Sequence, residues 1–463
     1  MKVEQLYTGC LAEAAYYIES DGEAIIIDPL RDIQPYIQKL ERNNVRLKFI
    51  LETHFHADFV SGHIDLAQAT DAIIVYGPKA VTSFKSHIAH DREQLTVGKL
   101  TIEVLHTPGH TLESSCYLLY DEIGNKHAIF TGDTLFIGDV GRPDLAIKSD
   151  LTKEDLAGML YDSLETKVKT LPDSIIIYPA HGAGSACGKN ISKDTSDTLG
   201  NQKHTNYALK ATDKATFIKE VLEDLQPAPS YFSVNALMNK EGYRNTAEVI
   251  KQGSIALDAD AFEKLQLQTH ALLLDTRDPA AFKQGFIPGS INIGLNGQFA
   301  PWAGVLITDN TQPILLITDP DKEKETIIRL ARVGVDNVIG YLKNGYATWK
   351  EAQKPEDKIK SITAKEFADQ LSTNSELHIL DVRKPGEYED GHVQEATSVP
   401  LDYINDWTNT LDKNKTYYVH CAGGYRSVIT ESILKSRNIH NVIDVAGGYG
   451  AIQTELQADK NIK

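Results

Sequence analysis

The sequence predicts a multidomain protein of α/β and α+β class, and three observations carry that prediction. The chain has 463 residues, enough for about three domains of ordinary size. Its first half repeats one pattern four times, a short apolar strand followed at once by a turn that carries His or Asp. Its second half contains an internal repeat with a period of about a hundred residues, in which strands alternate with helical segments. On these signals the domains are placed at 1–255, 256–355 and 356–463.

The first chemistry-bearing element is the strand Leu47 to Glu52, which runs into Thr53-His54-Phe55-His56-Ala57-Asp58-Phe59. Two residues apart in an extended loop, His54 and His56 can converge on one ion while Asp58 reaches toward a neighbouring position. Leu100 to Leu105 is followed by Thr107-Pro-Gly-His110-Thr111, Ala128 to Phe130 by Thr131-Gly-Asp133-Thr134, and Ser174 to Tyr178 by Pro179-Ala-His181-Gly182. One His-x-His alone is weak evidence for a metal. Four ordered motifs whose strand ends can face one cleft are strong evidence. His87 and His90 read instead as surface residues of a helix.

On those motifs the first half resembles the metallo-β-lactamase fold, an αββα sandwich. In the binuclear hydrolases of that fold the residue after the loop aspartate is a second-site histidine; here it is Phe59, which cannot bind a metal. The resemblance therefore implies one ion, held by His54, His110 and Asp133. Two imidazoles and one carboxylate on one face of a metal leave open positions, as in non-haem Fe(II) oxygenases. Zinc with a water at the same place would give a hydrolase, and donor type suits both metals. Within the superfamily the chain looks most like the persulfide dioxygenases, on the runs Gly132-Asp133-Thr134-Leu135-Phe136 and Gly138-Asp-Val-Gly141-Arg142-Pro143-Asp144. That likeness implies one Fe(II) per chain, with His56, Asp58 and His181 orienting ligands or water.

In relatives the loop of Arg142 frames the thiol cosubstrate, where a guanidinium would bind a carboxylate or phosphate. A salt bridge to Asp139 or Asp144 is the alternative. Cys187 lies on the glycine-rich loop Gly182-Ala-Gly-Ser-Ala-Cys187-Gly188, six residues past His181. It reads as an exposed, reactive thiol, and the resemblance gives it a part in relaying persulfide sulfur. Cys10 reads as structural and Cys116, within the strand Cys116-Tyr-Leu-Leu-Tyr120, as core.

A formal charge of −17 argues against bulk binding to nucleic acid or an acidic membrane, since both need basic surface to neutralise phosphates. Four scattered cysteines make no disulfide framework and suggest a reducing compartment. With no apolar run approaching about 18 residues and no signal-peptide layout at Met1-Lys-Val-Glu-Gln-Leu-Tyr7, the chain reads as cytoplasmic.

The repeat pairs Leu272-Leu-Leu-Asp275-Thr-Arg277 with Ile379-Leu-Asp381-Val-Arg383, and Asn337-Val-Ile with Asn441-Val-Ile. Both copies resemble the rhodanese domain. In the second copy the strand Tyr417 to His420 runs into Cys421-Ala-Gly423-Gly424-Tyr-Arg426-Ser427, with a helix expected from Val428. The glycines, Gly423 and Gly424, let the loop curl so that backbone N–H groups converge on the sulfur, while the helix N-terminus and Arg426 favour an anion there. Six residues from Cys421 to Arg426 favour sulfur transfer, because related phosphatases close a ring one residue longer. The first copy carries Asp319-Pro320 at the equivalent place and is expected to be silent, a spacer, docking surface or oligomer contact.

The order of parts resembles the CstB-type persulfide dioxygenase–sulfurtransferase fusions over nearly the whole chain. It implies oxidation of a low-molecular-weight persulfide with O2 to sulfite and thiol, followed by attack of sulfite on a Cys421 persulfide to give thiosulfate. The expected partners are that persulfide, O2 and sulfite, with no nucleic acid, no membrane and a homo-oligomeric state. Glutathione, coenzyme A and bacillithiol stay open as the carrier thiol. The competing expectation is a glyoxalase-II-like thioester hydrolase with a fused sulfurtransferase.

Overall fold

The structure, a computed structural model, describes residues 1–145, 151–374 and 376–460. It divides into two compact units, Met1–Thr246 with Leu330–Gly334, and Ala247–Arg329 with Val335–Lys463.

In the first unit, strands Lys2–Thr8, Glu13–Ser20, Glu23–Ile27, Arg46–Glu52, Ile73–Tyr76 and His87–Ile88 lie side by side in chain order. A second sheet has the order Asp197–Thr198, Ile176–Pro179, Lys126–Gly132, Ser115–Tyr120, Leu100–His106, Gln94–Val97. Alternation along Ala24-Ile-Ile-Ile27 decides how the first sheet packs. Ile25 and Ile27 meet Ile102, Val104, Tyr117 and Phe130 of the second sheet. Ala24 and Ile26 face the other way, onto Tyr36 and Leu40 of helix Gln34–Asn43. Both faces are buried, so the strand reads as an unbroken apolar run. The second sheet turns Leu105, Leu118 and Ile129 outward onto Leu160 of helix Lys153–Ser163 and Phe217 of helix Lys214–Leu222. The result is the expected αββα sandwich.

His87 and His90 do not lie on a helix. His87–Ile88 is an edge strand paired in parallel with Val75 and Tyr76, and both histidines are exposed. A two-residue strand carries no periodic signal by which a sequence could separate it from a helical turn.

The second unit holds two five-stranded parallel sheets of identical order. One runs Ala256–Leu257, Val338–Leu342, Ile314–Ile317, Leu272–Asp275, Ile291–Asn292; the other runs Lys360–Ile362, Val442–Val445, Tyr417–His420, His378–Asp381, Ala396–Ser398. The paired Asp-x-Arg words explain themselves. Arg277 forks onto Asp275 and stacks over Tyr346, with its charge centre 4.2 Å from the ring; Arg383 forks onto Asp381 and stacks over Tyr449 at 4.0 Å. Each buried guanidinium is satisfied by a carboxylate two residues away and a ring at the far end of its own copy.

Candidate metal centre and sulfur-transfer loop

Four strand ends of the sandwich deliver the four motifs to one buried place. His110 Nε2 lies 3.4 Å and His54 Nε2 3.9 Å from Oδ2 of Asp133. One ligand atom from each of the three lies within 4.8 Å of the others. His54 Nε2, His110 Nε2 and both oxygens of Asp133 are shut from solvent and accept or donate no hydrogen bond. Buried polar atoms without partners are costly, and two imidazole nitrogens gathered with a carboxylate fit a cation.

The outer nitrogens fix the rings. His110 Nδ1 lies 2.9 Å from the carbonyl of Arg142, which can only accept, so Nδ1 carries the proton and Nε2 offers its lone pair inward. His54 Nδ1 lies 2.9 Å from Thr53 Oγ1, whose own proton goes to Asp28 Oδ2 at 2.9 Å; the same inward lone pair follows. Gly141 allows Asp133 and His110 to close up, since a Cβ there would stand 2.0 Å from the Asp133 carbonyl oxygen.

His56 is tied to neighbouring carboxylates at Nε2 and also stands in a second group of possible donors with Asp58 and His181. Its Nε2 is 3.0 Å from Asp28 Oδ1 and 3.7 Å from Glu52 Oε2. Burial alone would push the imidazole down, but the charges of Asp28 and Glu52 outweigh it and raise the group to about 10. Phe59 is fully buried with its ring 4.3 Å from that of His56. His181 Nε2 stands 3.4 Å from Asp58 Oδ2 and 3.5 Å from Asp133 Oδ1, beside the three-residue cluster. A cleft of about 1160 Å³ opens onto His110 and is lined by Phe55, Phe232, Leu237, Lys79 and Lys240 among others.

In the second unit Cys421 directly follows strand Tyr417–His420, and the N–H of Gly424 donates to its Sγ at 3.1 Å. Gly424 holds φ at +105°, a conformation an L side chain resists, which aims that amide inward. The helix begins at Tyr425, three residues before the expected Val428, so its first turn starts inside the loop. The fork of Arg426 is held by Glu387, donating to both of its oxygens at 2.6 and 2.8 Å. Cys421, Gly423, Arg426, Lys384, Gln298 and Trp302 line a pocket of about 430 Å³.

Comparison with known proteins agrees with both halves. The model of the metallo-β-lactamase superfamily matches residues 8–181, and that of the rhodanese-like domain matches 258–352 and 363–455. A crystal structure described as a metallo-β-lactamase from Staphylococcus aureus subsp. aureus COL is 32% identical, covers 74% of this chain and 98% of its own, and superposes with a TM-score of 0.64. Among curated relatives, a probable hydroxyacylglutathione hydrolase of Schizosaccharomyces pombe is 34% identical over 38% of this chain and 66% of its own length. A hydroxyacylglutathione hydrolase of Pelagibacter ubique is 30% identical over 47% of this chain and 83% of its own. The chain belongs to the metallo-β-lactamase superfamily and carries two rhodanese-like domains. For the first curated relatives the match spans just under two thirds of their length.

Within the metallo-β-lactamase domain two expectations need correction. Cys187 is not exposed: it is 1% accessible, and its Sγ belongs to a cluster with Asp133 and His181. Burial first, then the charges of Asp58 and Asp133, pushes the thiol well up. The glycine-rich loop is folded down because the Arg142 N–H donates to the Cys187 carbonyl at 2.9 Å. Arg142 follows the alternative, a salt bridge to Asp144, and not the substrate-binding expectation. It is buried, with its fork on Asp144 at 2.7 and 2.8 Å and further bonds to the carbonyls of Ala186 and Gln226, so it braces loops and does not offer itself to the cleft.

Asn239 was not legible as a site residue. From helix Phe232–Glu241 its Nδ2 donates to the carbonyls of His56 and Phe59 at 2.7 and 2.8 Å, and its Oδ1 accepts from the N–H of Ser61 at 2.8 Å. It clasps the metal loop from 180 residues away. In the first rhodanese-like domain the expected Asp319 does not hold the place of Cys421: Ile317 pairs with Asp275 as His420 pairs with Asp381, so the buried Thr318 takes that place and the exposed Asp319 lies one residue further on, before Pro320. Among the described residues no helix is long and apolar enough to cross a membrane.

Proposed function

We propose that this chain oxidises a low-molecular-weight persulfide with O2 to sulfite and thiol, and that its second rhodanese-like domain joins sulfite to persulfide sulfur to give thiosulfate. The observation that supports this reading is the buried His54, His110, Asp133 constellation with Phe59, not a histidine, after the loop aspartate: a three-donor site with open positions. An Fe(II) ion held by those three residues would supply activation of O2 at its open positions. The apolar cleft at His110 seats the carrier, with Lys79 and Lys240 available to its anionic groups. Asp58 and His181 stand where they can position a bound thiol or water.

In the sulfur-transfer step, Cys421 attacks the outer sulfur of a persulfide, the donor's S–S bond breaks and thiol leaves. Sulfite then attacks the outer sulfur on Cys421, releasing thiosulfate and the free cysteine. Gly424 N–H and the helix start at Tyr425 favour negative charge on Sγ throughout. Fusing the two activities raises the effective concentration of sulfite at its consumer.

The test is anaerobic metal analysis followed by O2 uptake with glutathione, coenzyme A and bacillithiol persulfides. About one iron per chain and persulfide-dependent uptake are expected. The hydroxyacylglutathione hydrolase relatives favour a second reading, a thioester hydrolase. A protein with two zinc ions that cleaves acyl-glutathione without O2 and ignores persulfides would establish that reading instead.

A further inference from the structure

We infer that Lys283, in the repeat without a catalytic cysteine, is a positioning residue for Cys421 in the other repeat, acting through Asp444 and Ser427; this rests on the sulfurtransferase reading of Cys421. The contacts form a continuous line. Cys421 Sγ lies 3.8 Å from Ser427 Oγ, Ser427 Oγ donates to Asp444 Oδ1 at 3.1 Å, and Lys283 Nζ meets Asp444 Oδ2 at 2.6 Å. Ser361 Oγ also donates to Oδ2, at 2.8 Å. Lys283 belongs to helix Pro279–Gln284, Ser427 to helix Tyr425–Ser436 and Asp444 to strand Val442–Val445. Two further bonds seat the catalytic helix on the first repeat, Tyr425 Oη to the Gly294 carbonyl at 2.7 Å and Asn292 N–H to Ser432 Oγ at 2.9 Å.

The charge pattern behind the sulfur shows why a cation is needed there. Asp444 is fully buried, and so is Glu431, one turn beyond Ser427, whose carboxyl oxygens have no hydrogen-bond partner. Burial first and the charge of Asp444 second push Glu431 up, while Lys283 opposes them. Two carboxyl groups therefore share this space, and the ammonium of Lys283 gives Asp444 its countercharge. The other charged groups facing the network are Lys435 behind Glu431, and Arg426 with Glu387 on the pocket side.

Asp444 can then act as a proton acceptor at one remove. The thiol proton of Cys421 passes to Ser427 Oγ as Ser427 passes its own to Asp444, leaving a thiolate and a neutral carboxyl with no change of oxidation state. The proton returns along the same path when sulfite discharges the persulfide and Sγ is freed. Without Lys283, the buried Asp444 carboxylate loses its countercharge beside Glu431 and is no longer held in place as the acceptor for Ser427 Oγ.

The experiment uses the full chain, with thiosulfate as sulfur donor and cyanide as acceptor so that the iron site is bypassed, and iodoacetamide labelling of Cys421 followed by peptide mass spectrometry across a range of pH. Lys283→Met is expected to lower both rates about tenfold at neutral pH, with labelling recovering at alkaline pH; Lys283→Arg is expected to stay within about threefold of wild type. Unchanged rates in Lys283→Met overturn the inference, and so does a loss that alkaline pH does not restore, which marks a merely structural role. Should Lys283→Met fail to fold, Ser427→Ala decides: wild-type rates there overturn the inference and an alkaline-rescued loss supports it. A wild-type chain that transfers no sulfur would instead sink the reading of Cys421 itself.

Discussion

The imidazole Nε2 of His56 lies 3.0 Å from Oδ1 of Asp28, with both side chains closed off from solvent. Asp28 also accepts the N–H of Thr53 at 2.8 Å, so one carboxylate holds the metal loop both by its backbone and by the Nε2 of its second histidine. The second histidine of the His-x-His word thus forms an internal ion pair at Nε2, while its Nδ1 has no hydrogen-bond partner.

That pair makes stability fall with rising pH in the metal-free protein. His56 is raised to about 10 in the fold against about 6.5 in the unfolded chain. A group raised on folding contributes fully below its unfolded value and loses that contribution as pH climbs through the folded one, so the window runs from about 6.5 to about 10. Urea unfolding at pH 7 and pH 10 should show wild type losing on the order of a few kcal/mol more than His56→Gln. Parallel losses in the two proteins would mean that the pair is not formed.

Phe59→His tests the count of metal ions. The ring at this position is buried against His56 and beside Asp58, with His181 close to that aspartate. An imidazole in its place adds a donor to Asp58, Asp133 and His181, and metal content after zinc loading should rise from about one to about two ions per chain. Persulfide-dependent O2 uptake should drop as the open face is taken. A variant that still binds one ion would show that the aromatic ring is not what limits the site.

The four ligand-bearing motifs were legible because each is a contiguous strand and turn, so the word and its structural setting are read together. Asp28 and Asn239 were not, because their partners lie 25 to 183 residues away in sequence and only the packed sandwich brings them together. Composition misled at Cys187, where glycine and serine suggested an open loop and backbone bonding to Arg142 closed it. The tandem repeat was legible from Asp275-Thr-Arg277 and Asp381-Val-Arg383, since a fork pair needs only local spacing; Lys283 and Asp444, which join the copies, belong to no repeated word.

Asn239→Ala should loosen the metal loop. Removing the amide leaves the carbonyls of His56 and Phe59 and the N–H of Ser61 buried without a partner, at a cost of about 1–3 kcal/mol. Iron affinity should weaken about 10- to 100-fold, as for other residues that orient ligands, and competition with a chelator would read it. Wild-type affinity would mean that the loop holds its shape without the clasp.

The two chemistries should separate by mutation. His110→Ala removes one of three donors and should abolish O2 uptake while leaving thiosulfate-to-cyanide transfer intact. Cys421→Ser should leave O2 uptake largely unchanged and shift the product from thiosulfate toward sulfite, measured by chromatography of the spent reaction. Equal loss of both activities in either variant would mean that one chemistry depends on the other's residues.

Cys187 should resist alkylation in the folded, metal-free chain. Its thiol is 1% accessible, and burial followed by the charges of Asp58 and Asp133 disfavours the thiolate that an alkylating agent needs. Iodoacetamide at pH 8 should mark Cys10, which is partly exposed, well before Cys187, and urea should bring the two to similar rates. Peptide mass spectrometry over a time course reads the order directly. Rapid labelling of Cys187 in the native protein would mean that the Gly182 to Gly188 loop opens on its own, breaking the bond from the Arg142 N–H to the Cys187 carbonyl, and that this thiol is free to exchange sulfur with a persulfide in the cleft.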